Sequence, residues 1–306
     1  MSSANTVVYR HYNLPVFHPY LAFFGNHWIL KKDAPSPRHF HNCIELGYCK
    51  SGSGTVHAEN LSFSFQAGDY IVIPENISHH SVSHEPESRL EYVYFDPYIV
   101  LQDSISPSAL EELHNGLSGR VGIIRKEEHA PLHLLAERIF DELHRRQDLY
   151  ADALHGLLLS FCISLSNESS FAHSIKSELD WLYRSINYIH RNYHRKLSIS
   201  EICNECTTLS ESHFRKRFGE IMHISPLDYI NHFRIRLACR SIYRGQKSIN
   251  EIASDVGFPT LSTFNRNFTA LLGCSPLQWK KKLTAQDSFA EIQSLTTDDT
   301  KDIFAL

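Results

Sequence analysis

Apolar and polar positions change period twice along this chain. From Arg38 to about Pro97 the apolar residues recur over short stretches: Ile44–Cys49, Thr55–Ala58, Leu61–Phe65, Tyr70–Ile73 and Leu90–Phe95. Polar turns separate them at Ser51-Gly52-Ser53-Gly54, Glu59-Asn60, Ala67-Gly68-Asp69 and Pro74-Glu75-Asn76. Short strands at this spacing predict a β-barrel or jelly roll. The aromatic-rich segment before Trp28 has no clear period and is read as an arm and a first strand, and Pro35 and Pro37 mark a loop after it. From Pro107 to Asn167 the period becomes helical. One helix is expected within 127–147, with Leu134, Leu135, Ile139, Phe140 and Leu143 on one side, and a second, strongly apolar one within 150–165. The second has little polar face to show water, which favours a pair of helices that dimerises over one that merely caps the barrel.

The last third of the chain repeats itself at an offset of fifty residues. Ser198-Ile199 recurs as Ser248-Ile249, Glu201-Ile202 as Glu251-Ile252, Phe214 as Phe264, Lys216 as Arg266, Phe218 as Phe268, and Ser225-Pro226-Leu227 as Ser275-Pro276-Leu277. Matches at one offset mean two copies of one unit. In each copy a Ser-capped helix is followed by a break and a second helix. That helix buries phenylalanines at i and i+4 and shows a polar, partly basic face between them. This is the pattern of a helix-turn-helix, whose second helix enters the DNA major groove. Between the copies a helix is predicted over 226–244, started by Pro226 at its first position. At 1.5 Å per residue it is roughly 28 Å long, comparable with the ~34 Å between successive major-groove faces. An amphipathic helix over 179–193 opens this half.

Charge supports the same division. Residues 177–283 hold 16 Lys and Arg against 9 Asp and Glu, a net +7; residues 1–176 hold 13 against 20, a net −7; residues 284–306 hold 1 against 5, a net −4. A polyanionic partner for the repeat-bearing half alone is the physical reading. The length allows two domains. No apolar run is long enough for a membrane span and no secretory signal is visible, so a cytoplasmic protein without membrane contact is expected. The seven cysteines show no disulfide spacing, which fits a reducing compartment. Cys203 and Cys206 form a C-x-x-C, but the repeat places them opposite Ala253 and Val256, core positions. No phosphate-binding Gly loop and no G-x-S-x-G is present, so nucleotide-driven or hydrolytic chemistry has no support.

Residues 197–283 resemble the DNA-binding domain of the AraC/XylS family of bacterial transcription regulators. The resemblance rests on Ile252-Ala253-Ser254-Asp255-Val256-Gly257-Phe258, Phe264-Asn265-Arg266-Asn267-Phe268, Gly273-Cys274-Ser275-Pro276 and Trp279. Two departures stand out. Thr207 replaces the family's Gly in the first turn, which reads as one residue longer, and Thr269 replaces a Lys after the last Phe. The resemblance implies base and backbone contacts from Ser212, Arg215 and Lys216 in the first recognition helix and Ser262, Thr263 and Arg266 in the second. Arg and Lys suit guanine edges, and Ser and Thr suit several bases or phosphate. It further implies a homodimer, a small-molecule effector, and contact with RNA polymerase if the protein activates, often of sugar catabolism.

The N-terminal strands resemble a cupin. His39, His41, Glu45 and Gly52 keep the H-x-H-x3-E-x6-G spacing of its first motif, and Gly68, Pro74 and His79 follow most of the second. Even separations put His39, His41 and Glu45 on one face if they share a strand. His79 then completes a three-His, one-carboxylate set suited to Fe, Mn, Ni or Zn. Regulators of this kind more often use the barrel as a metal-free pocket, so no cofactor is expected, with the metal site as the alternative. The candidate effector contacts are Arg38, His39, His41, Glu45 and His79.

The expected fold is therefore α+β and multidomain. A β jelly-roll or cupin over 1–105 is followed by a helical dimerisation segment over 106–166 and a linker over 167–177. An all-α domain of two helix-turn-helix units over 178–283 precedes an acidic tail over 284–306. The expected function is a DNA-binding regulator, an activator rather than an enzyme. The alternative is a metal-dependent cupin sensor or enzyme carried to DNA by the helical domain.

Overall fold

The computed structural model describes residues 7–10, 12, 14, 20–102, 104–171 and 179–285. They form two compact units, which part in sequence between Ser177 and Glu178. Most of the segment read as an acidic tail, from residue 286 on, lies outside the described residues. Among the described residues no helix is long and apolar enough to cross a membrane.

The N-terminal unit is built on two five-stranded sheets. One runs β1 (Val8–Arg10), β3 (His39–His41), β8 (His79–Ser83), β5 (Ser53–Ala58), β6 (Leu61–Gln66). The other runs β10 (Gly122–Ile124), β7 (Tyr70–Ile73), β4 (Ile44–Ser51), β9 (Glu87–Phe95), β2 (Tyr20–Lys31). Strands β5 and β8 alternate buried and half-exposed residues, as expected of strands with one wet face. Strands β4 and β9 are buried along most of their length because both of their faces are covered. Ile44 and Leu46 of β4 and Val93 and Phe95 of β9 join a core with α1 (Pro97–Leu101), α2 (Pro107–Leu117), α3 (Ala130–Arg145) and α4 (Tyr150–Asn167), through Val100, Leu113, Ile139, Phe140, Leu158 and Phe161. Glu91, buried on β9, fastens this layer. It accepts from Lys50 Nζ at 2.9 Å and from Gly25 N at 3.2 Å, and lies 3.2 Å from His144 Nε2 near the end of α3.

Three sequence expectations change here. The histidine motif does not lie on one strand. His39 and His41 are on β3 and Glu45 is on β4, in the opposite sheet. The chain crosses between sheets at Asn42-Cys43, where the Asn42 amide accepts from Tyr12 N at 2.8 Å and donates to Tyr12 O at 3.1 Å. Second, the stretch read as wholly helical contains β10, which adds to β7. Gly119, at φ +72°, turns the chain out of α2. A Cβ on Gly122 would lie 2.3 Å from the Phe171 ring, so any larger residue there must displace that buried ring. Third, the segment read as linker begins inside this unit. Asn167 ends α4, and Ser169–Phe171 form a 3-10 turn that buries Phe171 in the core.

A buried carboxyl group shapes the pH response of this unit. Glu75 is buried, and its Oε1 lies 3.4 Å from His114 Nδ1. Burial, and then the nearby Asp96, push its pKa well above the usual carboxylate range. A raised folded-state pKa favours folding at low pH, and that contribution is lost as pH rises above the unfolded value. Glu75→Gln is therefore expected to raise the melting temperature relative to wild type at pH 8 and to make little difference at pH 4. Equal differences at both pH values would show that Glu75 is not held neutral.

In the C-terminal unit, α5 (Asp180–Asn192) is followed by α6 (Ile199–Cys206), α7 (Glu211–Met222), α8 (Pro226–Arg244), α9 (Ile249–Asp255), α10 (Leu261–Leu272) and α11 (Pro276–Ala285). Local signals explain the starts. Ser198, Ser210, Ser225, Ser248 and Thr260 each accept a backbone N–H of the first turn, and Ser248 with Glu251 forms a capping box. Helix α8 covers the residues predicted for it and packs on α7, α9, α10 and α11. Cys203 and Cys206 are buried on α6.

The first turn is not lengthened. Helix starts keep the fifty-residue offset, Ile199 to Ile249 and Glu211 to Leu261, and the first turn is the shorter of the two because α6 runs one residue further. Thr207 stands at φ −149°, extended backbone that any residue adopts, whereas its counterpart Gly257 stands at φ +86°. A Cβ on Gly257 would lie 2.2 Å from Tyr193 O. The left-handed conformation costs a non-glycine residue ~1–2 kcal/mol and overpacking adds ~1–3 kcal/mol. Gly257→Ala is thus expected to destabilise the unit by about 2–5 kcal/mol, read by chemical denaturation, while Thr207→Ala costs less than ~1 kcal/mol. Similar losses in both variants would contradict this account of the two turns.

Candidate functional site

Two groups of side chains stand out, one in each unit. In the N-terminal unit His39 and His79 are directly paired across β3 and β8. His41 follows on the same face of β3, and Glu45 enters from β4. All four are buried, and one potential ligand atom from each lies within 4.8 Å of all the others. The structure thus brings together His39, His41, Glu45 and His79. It places Arg38 elsewhere: its guanidinium donates from Nε to Ser78 Oγ at 2.7 Å and from Nη2 to Glu59 Oε2 at 3.2 Å.

The hydrogen bonds fix the tautomers of the three imidazoles. His39 Nδ1 is 2.9 Å from Pro37 O, His41 Nδ1 is 2.9 Å from Cys43 O, and His79 Nδ1 is 2.8 Å from Ile77 O. A carbonyl only accepts, so each Nδ1 carries a proton and donates it. In the neutral ring each Nε2 then presents a lone pair. His41 Nε2 lies 3.0 Å and His79 Nε2 3.4 Å from the same oxygen, Glu45 Oε2. His79 Nε2 is buried without a hydrogen-bond partner. His39 Nε2 accepts from Arg10 Nη1 at 3.0 Å.

Electrostatics sharpen the picture. Burial pushes His39 down to about 2, with His79 and Arg10 adding to the effect, and burial lowers His41 as well. Burial opposes the charge on Glu45, but the imidazoles of His79 and His41 outweigh it and hold the carboxyl well below its ordinary range. The ionised carboxylate and the two Nε2 atoms beside it need a positive charge between them, supplied by a proton on an imidazole or by a bound cation. Ligand atoms around a metal with bonds of about 2.1 Å sit about 3.0–3.4 Å apart; His41 and His79 keep that distance from Glu45 Oε2, and the full set lies within 4.8 Å. Metal-binding histidines also donate their second N–H to carbonyl groups, as all three do. The donor set fits a divalent transition metal. Aromatic rings wall the cluster: Tyr94 lies 5.4 Å from His41 and stacks on Tyr12 at 4.2 Å, and Trp28 meets Tyr92 at 5.5 Å.

In the C-terminal unit Phe214 and Phe218 of α7, and Phe264 and Phe268 of α10, are wholly buried. They leave Ser212, Arg215, Lys216, Ser262, Asn265 and Arg266 exposed on the outer faces. Arg215 is held by Glu211 through Nε at 3.0 Å and Nη2 at 2.7 Å, and Lys216 lies 3.8 Å from Glu220. Thr263 differs from the others. It is half-buried, and its hydroxyl is 2.9 Å from that of the cap residue Thr260, so it shapes the helix start as much as the surface.

A family model described as an AraC-like ligand binding domain matches residues 21–159, and one described as a helix-turn-helix domain matches residues 205–282. The chain belongs to the AraC type of transcription regulators. AraC-type relatives span nearly its whole length. The raffinose operon transcriptional regulatory protein RafR of Pediococcus pentosaceus is 22% identical, over 87% of this chain and 95% of that protein. The probable transcriptional regulator LumQ of Photobacterium leiognathi is 23% identical, over 81% and 93%. Among solved structures, fatty-acid-bound ToxT from Vibrio cholerae is 16% identical with a TM-score of 0.39, covering 88% of this chain and 97% of that one. The relatives are regulators, not enzymes. Within this AraC-type chain, sequence reasoning missed Arg10, because its bond to His39 spans 29 residues with no local periodicity to announce it.

Proposed function

We propose that this AraC-type regulator reads promoter DNA with Ser212, Arg215, Lys216, Ser262 and Arg266, and that its sensor barrel responds to a divalent transition metal held by His39, His41, Glu45 and His79. The observation that carries the metal reading is that His41 and His79 meet one buried carboxylate oxygen, Glu45 Oε2, with His39 within 4.8 Å of the set and each ring's Nδ1–H spent on a carbonyl. A bound cation supplies the positive centre that this set lacks, and so favours one conformation of the barrel. The regulator acts as a homodimer. Leu134, Leu149 and Ile163 on and beside α3 and α4 are 57%, 77% and 42% exposed, and apolar surface of this kind is what a partner copy covers. Activation through RNA polymerase completes the proposal.

The test is thermal melting of the full chain after chelation and with Mn, Fe, Co, Ni or Zn restored, since a ligand of the folded state raises the midpoint by mass action. A midpoint lowered by chelator and restored by one metal is the expected result. A sugar is the second reading. The half-buried ring of Trp28, which meets Tyr92 edge-on, offers a stacking surface, and one relative is named for a raffinose operon. A shift with a sugar and none with metal or chelator decides for it.

A further inference from the structure

We propose that Arg10 is a gate on the sensor's cation site: its guanidinium occupies the place that a metal must take at His39, so metal binds only as Arg10 withdraws. The inference rests on the metal reading above and concerns how that site is controlled.

The geometry is specific. His41 and His79 turn Nε2 toward Glu45 Oε2, whereas His39 Nε2 is shown receiving a cationic group, Arg10 Nη1 at 3.0 Å. The His39 Nδ1–H is committed to Pro37 O, so Nε2 offers one in-plane lone pair. A guanidinium N–H and a metal bonded at about 2.1 Å both need that lone pair, and it serves one at a time. Charge leads to the same conclusion. Arg10 and Glu45 together are neutral. A divalent cation added with Arg10 in place brings two like charges close together in a buried site, where water screens them little. With Arg10 withdrawn, the Glu45–metal pair keeps a single positive charge.

The element that carries Arg10 suits withdrawal. Strand β1 has three residues, lies at the end of its sheet, and pairs in parallel with β3, with Val8 N donating to Arg38 O at 3.0 Å. Short edge strands separate at low cost. Tyr9 packs on Phe40 at 4.9 Å and holds the strand when Arg10 is in place. Arg38, immediately before His39 on the other side of the sheet, carries the same charge but is engaged by Ser78 and Glu59. It is the natural control.

The experiment measures cobalt(II) affinity of the full chain by its visible absorption, for wild type, Arg10→Ala, Arg10→Lys and Arg38→Ala. The expected result is at least tenfold tighter binding by Arg10→Ala, an intermediate value for Arg10→Lys, and no change for Arg38→Ala. Equal binding by wild type and Arg10→Ala overturns the gate and leaves the metal reading standing. Tighter binding by both alanine variants assigns the effect to net charge and also overturns the gate. Weaker binding by Arg10→Ala makes Arg10 a support of the site and has the same consequence. No cobalt binding by any of the four, with melting temperatures intact, overturns the metal reading and the gate with it. If Arg10→Ala melts early, Arg10→Met, which keeps the apolar stem, replaces it.

Discussion

Replacing Lys216 and Arg266 together by alanine is expected to weaken binding to the cognate promoter by about 2–6 kcal/mol, a loss of roughly 30-fold to more than 10,000-fold. Each change removes a cation from the exposed face of a recognition helix, between phenylalanines that are wholly buried. Single losses of a good base contact are worth ~1–3 kcal/mol, and residues on separate helices add. Lys216 is held only by an exposed partner at 3.8 Å, so removing it frees no buried charge and the fold is expected to stand. Arg215 is less suited to the test, because its two hydrogen bonds to Glu211 Oε1 are released when it turns to DNA and that loss offsets part of any base contact. Electrophoretic mobility shift against cognate and scrambled duplexes decides the matter. An unchanged ratio of the two affinities would remove Lys216 and Arg266 from base reading.

The second large effect concerns Glu45. Glu45→Gln keeps the shape of the side chain and removes the charge that the imidazoles of His41 and His79 face. The folded protein is expected to persist, while the metal-dependent rise in melting temperature is lost. His41→Ala behaves differently. It opens a cavity at a wholly buried position and leaves the Glu45 carboxylate without its nearest partner, a change that costs about 3–5 kcal/mol when a buried charge is stranded. The two variants separate the roles. Both lose the metal response, but only His41→Ala melts early in chelator. If Glu45→Gln melts with wild-type metal dependence, the carboxylate is no ligand and the organic effector gains ground.

What the sequence by itself determined was local. The fifty-residue repeat, the caps at Ser198 and Ser248, the Pro226 start of α8 and the paired phenylalanines are short-range signals, since a helix makes its hydrogen bonds within four residues. The same holds for a strand such as β5, whose alternation and flanking turns lie within a few residues of one another. Tertiary structure decided what depends on distant pairing. The separation of His39 and His41 from Glu45 into two sheets, the joining of β10 to β7, and the seating of Phe171 against Gly122 all come from contacts that no local pattern encodes. The four donors and their meeting in one site were legible as a motif, but their division between two sheets was not, because Asn42 turns the chain from one sheet to the other. Arg10 was not legible at all. A three-residue strand carries too few side chains to show a period, and its partner lies 29 residues away. Burial then set the charge states in the cluster, for desolvation acts only once the sheets have closed around the imidazoles.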